Sequence, residues 1–163
     1  IHLLELGPGA GYLAKAILSL LTSHLDSVSY LGIDVNPELT AHTQKQLSRW
    51  EYPNISLKTT DLNNNFWPRD LDSFDIAYPF QTLHDLGGYE ALESVYGKLF
   101  ALIRPGGLLL NADFVTPFAN ENLQKPRRFP VERHQQLLES IGFIEFECQT
   151  SIGKLACMTA LRP

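Results

Sequence analysis

The sequence predicts an α/β fold: a three-layer sandwich in which a mostly parallel sheet lies between two layers of helices. Three observations point there. Short apolar runs alternate with stretches of helical periodicity along almost the whole chain. A glycine-rich turn, Gly7-Pro8-Gly9-Ala10-Gly11, joins the first apolar run to the first helical stretch. The last two apolar runs are separated by only a short turn, so the sheet ends in an antiparallel hairpin.

Taken in order, residues 1–5 read as the first strand, and the glycine run follows. Leu13, Ile17, Leu20 and Leu21 then mark the apolar face of a helix. Residues 28–33 form the second strand, which ends in Asp34. Asn36-Pro37-Glu38 opens a helix that runs to about Trp50: Asn caps, Pro fits the first helical position, and Glu suits the positive helix end. Residues 55–59 make the third strand, followed by Asp61. Residues 74–78 make the fourth, followed by a loop carrying Phe80, Gln81, His84 and Asp85. Leu92, Val95, Leu99 and Leu102 define an amphipathic helix stopped by Arg104-Pro105-Gly106-Gly107, and residues 108–112 form the fifth strand. A helix over 131–141 is closed by Gly142, a good left-handed terminus. Strands over 143–148 and 155–161 turn about Ser151-Ile152-Gly153. In the first of them Ile144, Phe146 and Cys148 alternate with Glu145 and Glu147, the pattern of a strand wet on one face. Residues 116–130 are the one long irregular connection, and such connections often act as functional lids.

Composition narrows the function classes. The 163 residues are enough for one domain with a layered core, and 44% apolar content is that of a folded globular protein. A formal net charge of −5 gives no basic surface to draw the chain onto nucleic acid or an anionic membrane. The one basic cluster, Lys125, Arg127 and Arg128, reads as a solvated loop. No apolar run approaches the roughly 20 residues needed to span a bilayer, so no membrane association is expected. Cys148 and Cys157 are too few for a disulfide framework and lack metal-ligand company. A bridge between them across the hairpin is not expected, no metal site is indicated, and a reducing, cytoplasmic location is the default.

The glycine turn carries the strongest chemical signal. Between a strand and a helix it lets a ligand approach the backbone and meet the unpaired N–H groups of the helix start. A dinucleotide fingerprint would need a third glycine where Tyr12 stands. Glu5 beside the loop would repel a pyrophosphate, yet would attract the ammonium group of an amino acid directly or through water. A nicotinamide-dependent oxidoreductase is disfavoured on both grounds. A ligand with a nucleoside at one end and an amino acid at the other fits better. Asp34, 23 positions after Gly11, is placed to accept from ribose hydroxyls. Asp61 is placed to accept from an adenine amino group, with the Leu62 backbone nearby.

Glu5-Leu6-Gly7-Pro8-Gly9-Ala10-Gly11, Gly32-Ile33-Asp34, Thr60-Asp61-Leu62, Phe74-Asp75-Ile76-Ala77 and Leu102-Ile103-Arg104-Pro105-Gly106-Gly107 occur here in one order. In this ordered set, which continues past Ser140-Ile141-Gly142-Phe143 into the final hairpin, the chain resembles class I S-adenosylmethionine-dependent methyltransferases over almost its whole length. The resemblance implies a Rossmann-like, seven-stranded sheet of order 3-2-1-4-5-7-6 with strand 7 antiparallel. It implies S-adenosyl-L-methionine as cofactor and S-adenosyl-L-homocysteine as product. Glu5, Gly7, Gly9 and Gly11 would surround the methionine part, Asp34 the ribose, and Asp61 with Leu62 the adenine. Residues 77–81 would lie near the reactive methyl group, which brings Ala77 to the cofactor and Tyr78, Phe80 and Gln81 to the substrate pocket. Family members usually carry helices ahead of the first strand that close over the substrate. Here Ile1-His2-Leu3-Leu4 already reads as a buried strand, so residues 1–163 are expected to be a single methyltransferase core lacking an N-terminal leader.

Methyl transfer needs a general base only when the acceptor must lose a proton as it attacks. His84, after the fourth strand and at the ligand-binding end of the sheet, is the candidate base, and it joins the substrate pocket on the same ground. Adjacency of Asp85 is no evidence of a dyad. His134, on the last helix, reads as a surface residue. Tyr78-Pro79-Phe80 is similar to the loop that holds a flipped base in amino-methylating enzymes, but Ala77 stands where that loop needs Asn or Asp. With the acidic charge, this points to a small-molecule acceptor and away from a nucleic-acid base. Tyr78, Phe80 and Trp67 are candidates for an aromatic pocket or for core packing. A non-catalytic module that keeps the cofactor pocket and works through a partner stays open as the alternative. The oligomeric state is not legible.

Overall fold

The computed structural model describes residues 1–21, 27–48 and 54–163. Its elements follow in the order β1 (His2–Leu6), α1 (Tyr12–Leu20), β2 (Ser29–Asp34), α2 (Pro37–Ser48), β3 (Ile55–Thr59), β4 (Phe74–Pro79), a 3₁₀ turn (Leu83–Asp85), α3 (Tyr89–Leu102), β5 (Ile103–Phe114), α4 (Val131–Ile141), β6 (Ile144–Ile152) and β7 (Leu155–Leu161). They form one seven-stranded sheet of order β3-β2-β1-β4-β5-β7-β6. Strands β1 to β5 pair in parallel, and β7 runs antiparallel to both β5 and β6. The expected topology is therefore the observed one.

The centre of the sheet is buried on both faces, and β1 shows why its sequence is nearly all apolar. Leu4 and Leu6 pack with Val95 and Leu99 of α3 and Leu137 of α4, whereas Leu3 packs with Ala14 and Leu18 of α1 and Leu47 of α2. Glu5 alternates with Leu4 and Leu6, so it falls on the α1–α2 side, 1% exposed. All four residues chosen to define α3 are buried. On α1 the buried stripe is Ala14 and Leu18, with Leu13, Ile17 and Leu21 flanking it, and Leu20 is 83% exposed. At about 100° per residue, Leu20 lies about 120° round the helix from Ala14, which corrects the expected face.

Local signals explain the helix ends. Asn36 Oδ1 accepts from the N–H groups of Glu38 and Leu39 at 2.9 and 3.1 Å and caps α2 as expected. The expected end of that helix near Trp50 lies outside the described residues. Gly142 closes α4 at φ +117°, with its own N–H and that of Phe143 returning to the Leu138 carbonyl.

Two boundaries differ from expectation. Arg104-Pro105-Gly106-Gly107 is not a separate loop but a bulge inside β5, which starts at Ile103 directly after α3. Phe74 pairs with Ile103 and Ile76 with Leu108, so β5 carries three more residues than β4 over this stretch. A Cβ on Gly107 would lie 2.8–2.9 Å from the main-chain oxygens of Arg104 and Asp75, so only glycine fits. Strand β6 runs on to Ile152 and turns through Gly153-Lys154. It is the sheet's edge, and bulges near Glu145 and Cys148 break its alternation, leaving it exposed on both faces except at Phe146. Thr150, not Cys148, consequently pairs with Cys157, and both cysteines are free. Among the described residues no helix is long and apolar enough to cross a membrane.

Candidate active site

The glycine turn after β1 is held from three sides. Gly7 N–H donates to the Ile33 carbonyl at 2.8 Å, tying the turn to β2. Gly9 is gripped at both ends of its residue: its N–H donates to Asp34 Oδ2 at 2.9 Å, and its carbonyl accepts from Thr43 Oγ1 at 2.8 Å. Gly7, Gly9 and Gly11 all have positive φ, +71°, +53° and +77°. A Cβ on Gly7 would lie 2.3 Å from Thr82 Oγ1, whereas one on Gly9 would meet nothing within 4 Å. Gly7 is thus required by packing, while Gly9 needs glycine only for its backbone conformation.

A cleft of about 260 Å³ opens at the C-terminal ends of β1, β2, β3 and β4, where open α/β sheets bind ligands. Its walls include Gly7, Asp34, Asp61, Leu62, Gln81, Thr82 and Asp85. None of the described lining residues is a lysine or arginine, and three are carboxylates. That chemistry suits a ligand bearing hydroxyls and a positive charge and disfavours a pyrophosphate, so an S-adenosylmethionine-like group fits the donor set. Asp34 is 8% exposed and spends two acceptor sites on Gly9 and Asn36 N–H groups, which leaves further lone pairs for a ligand. Asp61 Oδ1 accepts from Asn63 N–H at 2.8 Å. The Leu62 carbonyl accepts from Trp67 Nε1 and Lys98 Nζ, which fixes that peptide against the core.

The structure separates the sequence-chosen residues into groups. Gly7, Asp34, Asp61, Leu62 and Gln81 meet in the cleft wall, with Gln81 at φ +50°. Gly9 and Gly11 complete the turn beside it. Glu5 lies one layer deeper, where its carboxylate accepts from Tyr30 Oη at 2.6 Å. Burial pushes the Glu5 carboxyl up to about 7, against the opposing pull of the Tyr30 hydroxyl. Tyr78 is 3% exposed in the core between the sheet and α1–α2, where burial and the Glu5 charge push its hydroxyl well above its ordinary value. Ala77 is fully buried on the opposite face, and Trp67 packs in that same core. Phe80 is 38% exposed and bridges to Ala112 beyond β4.

His84 sits in the 3₁₀ turn with a partner that sequence reasoning missed. Asp113, 1% exposed near the end of β5, accepts from the His84 backbone N–H at 3.0 Å through Oδ2 and meets His84 Nδ1 at 2.6 Å through Oδ1. One carboxylate thus fixes both the backbone and the ring. The available signal was that Asp113, like Asp34 and Asp61, is an acid at a strand's C-terminal end. The other ring nitrogen, Nε2, faces Asp85 Oδ2 at 3.4 Å, and Phe114 packs edge-on at 5.2 Å. Thr82 was missed as well: its hydroxyl donates toward the Leu6 and Phe80 carbonyls at 3.0 and 2.9 Å and so bridges the ends of β1 and β4.

Two expectations are corrected nearby. His134 is not a surface residue but is 3% exposed, with Nδ1 2.7 Å from Tyr96 Oη, which in turn accepts from Asn111 Nδ2 at 2.9 Å. Burial pulls the His134 imidazole down to about 4. Amphipathic placement on α4 hides it because its polar tip finds a buried partner on α3. The basic cluster is also not simply solvated. Arg128 pairs with Glu121 at 2.8 Å and lies over the Phe118 ring, and Arg127 contacts Asp85. Lys125 alone of the three has no role in these contacts.

A sheet of this order with a glycine turn after β1 is the architecture of the class I S-adenosylmethionine-dependent methyltransferases. The chain belongs to that family, for the family described as "Methyltransferase domain" matches residues 4–109. The chain is 27% identical over 114 residues to the Hybrid PKS-NRPS synthetase lepA of Aspergillus flavus, covering 68% of this chain and 3% of that protein. It is 30% identical over 128 residues to the Phthiotriol/phenolphthiotriol dimycocerosates methyltransferase of Mycobacterium leprae, covering 73% of this chain and 42% of that one. Among solved structures, the CurJ carbon methyltransferase shares the fold with a TM-score of 0.82 at 18% identity, over 99% of this chain and 48% of that one. The chain therefore spans less than half the length of each of these relatives.

Proposed function

We propose that this domain uses S-adenosylmethionine to methylate a small-molecule acceptor that loses a proton as it attacks, with His84 as the base. The observation that carries this reading is the His84–Asp113 contact, on the 3₁₀ turn whose neighbours Gln81, Thr82, Asp85 and Leu86 line the cleft. Asp113 accepts at Nδ1, so the ring proton resides there and Nε2 keeps its lone pair. The short bond and the second bond to the His84 backbone hold the ring in one orientation and stabilise the imidazolium that forms on proton uptake. The acceptor's proton goes to Nε2.

The cofactor, when bound, supplies an electrophilic methyl group on a sulfonium. Toward it the chain offers the Gly7–Gly11 turn, Asp34 for ribose hydroxyls, and Asp61 with the Leu62 backbone for the adenine. Holding two reactants in line accounts for roughly 7–11 kcal/mol of a barrier without any nucleophile from the protein. The acidic net charge and the broken amine-methylation loop at Ala77 support a small acceptor. So do the names of the relatives, a carbon methyltransferase and a methyltransferase of phthiotriol and phenolphthiotriol dimycocerosates.

The test is methyl transfer from labelled S-adenosylmethionine to a panel of small carbon and oxygen acids, with S-adenosylhomocysteine binding measured in parallel. His84→Ala and Asp113→Asn should each lower turnover by about 10²–10⁴-fold while cofactor affinity holds. Normal turnover in His84→Ala removes the base. Binding without turnover on any acceptor supports the non-catalytic module.

A further inference from the structure

The His84 side chain is only 9% exposed, and both of its ring nitrogens face carboxylates. A base in that state meets no acceptor until one partner moves. Asp113 is not the one: its side chain is 1% exposed and bonded to His84 twice. Asp85 is 68% exposed and reaches Nε2 at 3.4 Å through Oδ2 alone. Asp85 also lines the cofactor-class cleft, whereas His84 does not, so Asp85 is the residue that touches both the cleft and Nε2.

What holds Asp85 there comes from the long connection after β5. Arg127 Nη2 donates to the Asp85 carbonyl at 2.9 Å and lies 3.4 Å from Asp85 Oδ1, so Arg127 holds one carboxylate oxygen while the other is left 3.4 Å from His84 Nε2. The connection itself is ordered rather than loose. The Glu121 carboxylate accepts from the N–H groups of Phe118, Arg127 and Arg128 and from the Arg128 guanidinium, at 2.8–3.2 Å. The Phe118 ring is covered by Arg128 at 4.1 Å and by Lys154 from the β6–β7 turn at 4.9 Å. Phe118 packs on Phe114, and Phe114 on His84. This unit has a firm interior, and Arg127 fastens it to Asp85 by a hydrogen bond to the backbone carbonyl and an exposed ion pair to the carboxylate.

We propose that Asp85, held by Arg127, occupies the acceptor's place at His84 Nε2, so that the connection over residues 116–130 is a strap whose release opens the base onto the cleft. The proposal rests on the reading of His84 as the base. Arg127 and Asp85 are positioning residues that act through His84. An exposed pair of this kind is weak and screened by salt, which suits a contact that an incoming acceptor displaces.

The test is the rate of carbethoxylation of His84 by diethyl pyrocarbonate at neutral pH, read peptide by peptide by mass spectrometry, on the whole chain without acceptor. Arg127→Ala and Asp85→Ala should each raise the His84 rate about two- to fivefold, the range set by an exposed ion pair. Arg127→Lys should rescue part of the effect. His134, buried against Tyr96, serves as the internal standard of an intact fold. In the wild-type chain, added salt should raise the His84 rate in the same direction, which keeps the test open if a variant fails to fold. An unchanged His84 rate in both alanine variants and with salt overturns the strap. Failure of the base reading is separate: it shows as normal turnover in His84→Ala, whatever the modification rates are.

Discussion

Glu5→Gln replaces a buried carboxyl by its neutral isostere and isolates the electrostatic cost of the layer beneath the glycine turn. In the folded chain burial raises the Glu5 carboxyl from 4.5 to about 7. Between those values the unfolded chain has lost the proton and the folded chain keeps it, so raising the pH favours unfolding across that window. The cost is absent below about pH 4.5 and complete above about pH 7. At 1.36 kcal/mol per unit it amounts to about 3 kcal/mol, an order-of-magnitude figure. The glutamine keeps the shape of the side chain and an oxygen for Tyr30 Oη, now 2.6 Å from Oε2. Urea unfolding followed by tryptophan fluorescence at about pH 4.5, 6 and 8 should therefore show the variant gaining on the wild type as pH rises, by about 3 kcal/mol in all. All other titrations are common to both chains and cancel in the difference. Parallel stability curves over that range refute the reasoning. If the charge is kept for a cationic ligand, the same variant binds S-adenosylhomocysteine more weakly, a trade of stability for function.

Gly7→Ala and Gly9→Ala should fail differently. The first puts a Cβ 2.3 Å from Thr82 Oγ1 at φ +71° and should cost roughly 2–4 kcal/mol in a denaturation assay. The second meets no atom and should cost only about 1 kcal/mol in the same assay. His134, drawn down to about 4, is neutral in the folded chain while the unfolded chain protonates below about 6.5. Stability should therefore fall as pH drops from about 6.5 to 4, and His134→Gln should flatten that part of the curve in chemical denaturation. Asp34→Ala should weaken S-adenosylhomocysteine binding by roughly 1–3 kcal/mol through lost hydroxyl contacts and the freed Gly9 N–H, measured by calorimetry in a folded variant.

The features written locally in the chain were the legible ones. The Asn36 cap, the Gly142 terminus and the α3 stripe each follow from a few adjacent residues. Asp34 could be found because it ends the apolar run of β2, and Asp61 because it stands two residues past the end of β3. What escaped depends on pairing across distance. Asp113 becomes a partner of His84 only because β5 lies beside β4, and a strand taken to stop at Ala112 hid it. His134 looks like a surface residue until α3 delivers the Tyr96 hydroxyl to it. Arg104 to Gly107 looks like a stop signal, and only the pairing of β4 with β5 shows it to be a bulge. Glu121 organises the connection after β5 through bonds to residues up to seven positions away, a pattern with no periodicity to announce it.

The most direct measurement is calorimetric titration of the purified chain with S-adenosylhomocysteine, with NAD as the competing control. Saturable binding of S-adenosylhomocysteine alone, weakened by Asp34→Ala, is the predicted result. Binding of NAD in its place, or equal affinity in wild type and folded Asp34→Ala, contradicts the assignment of this cleft.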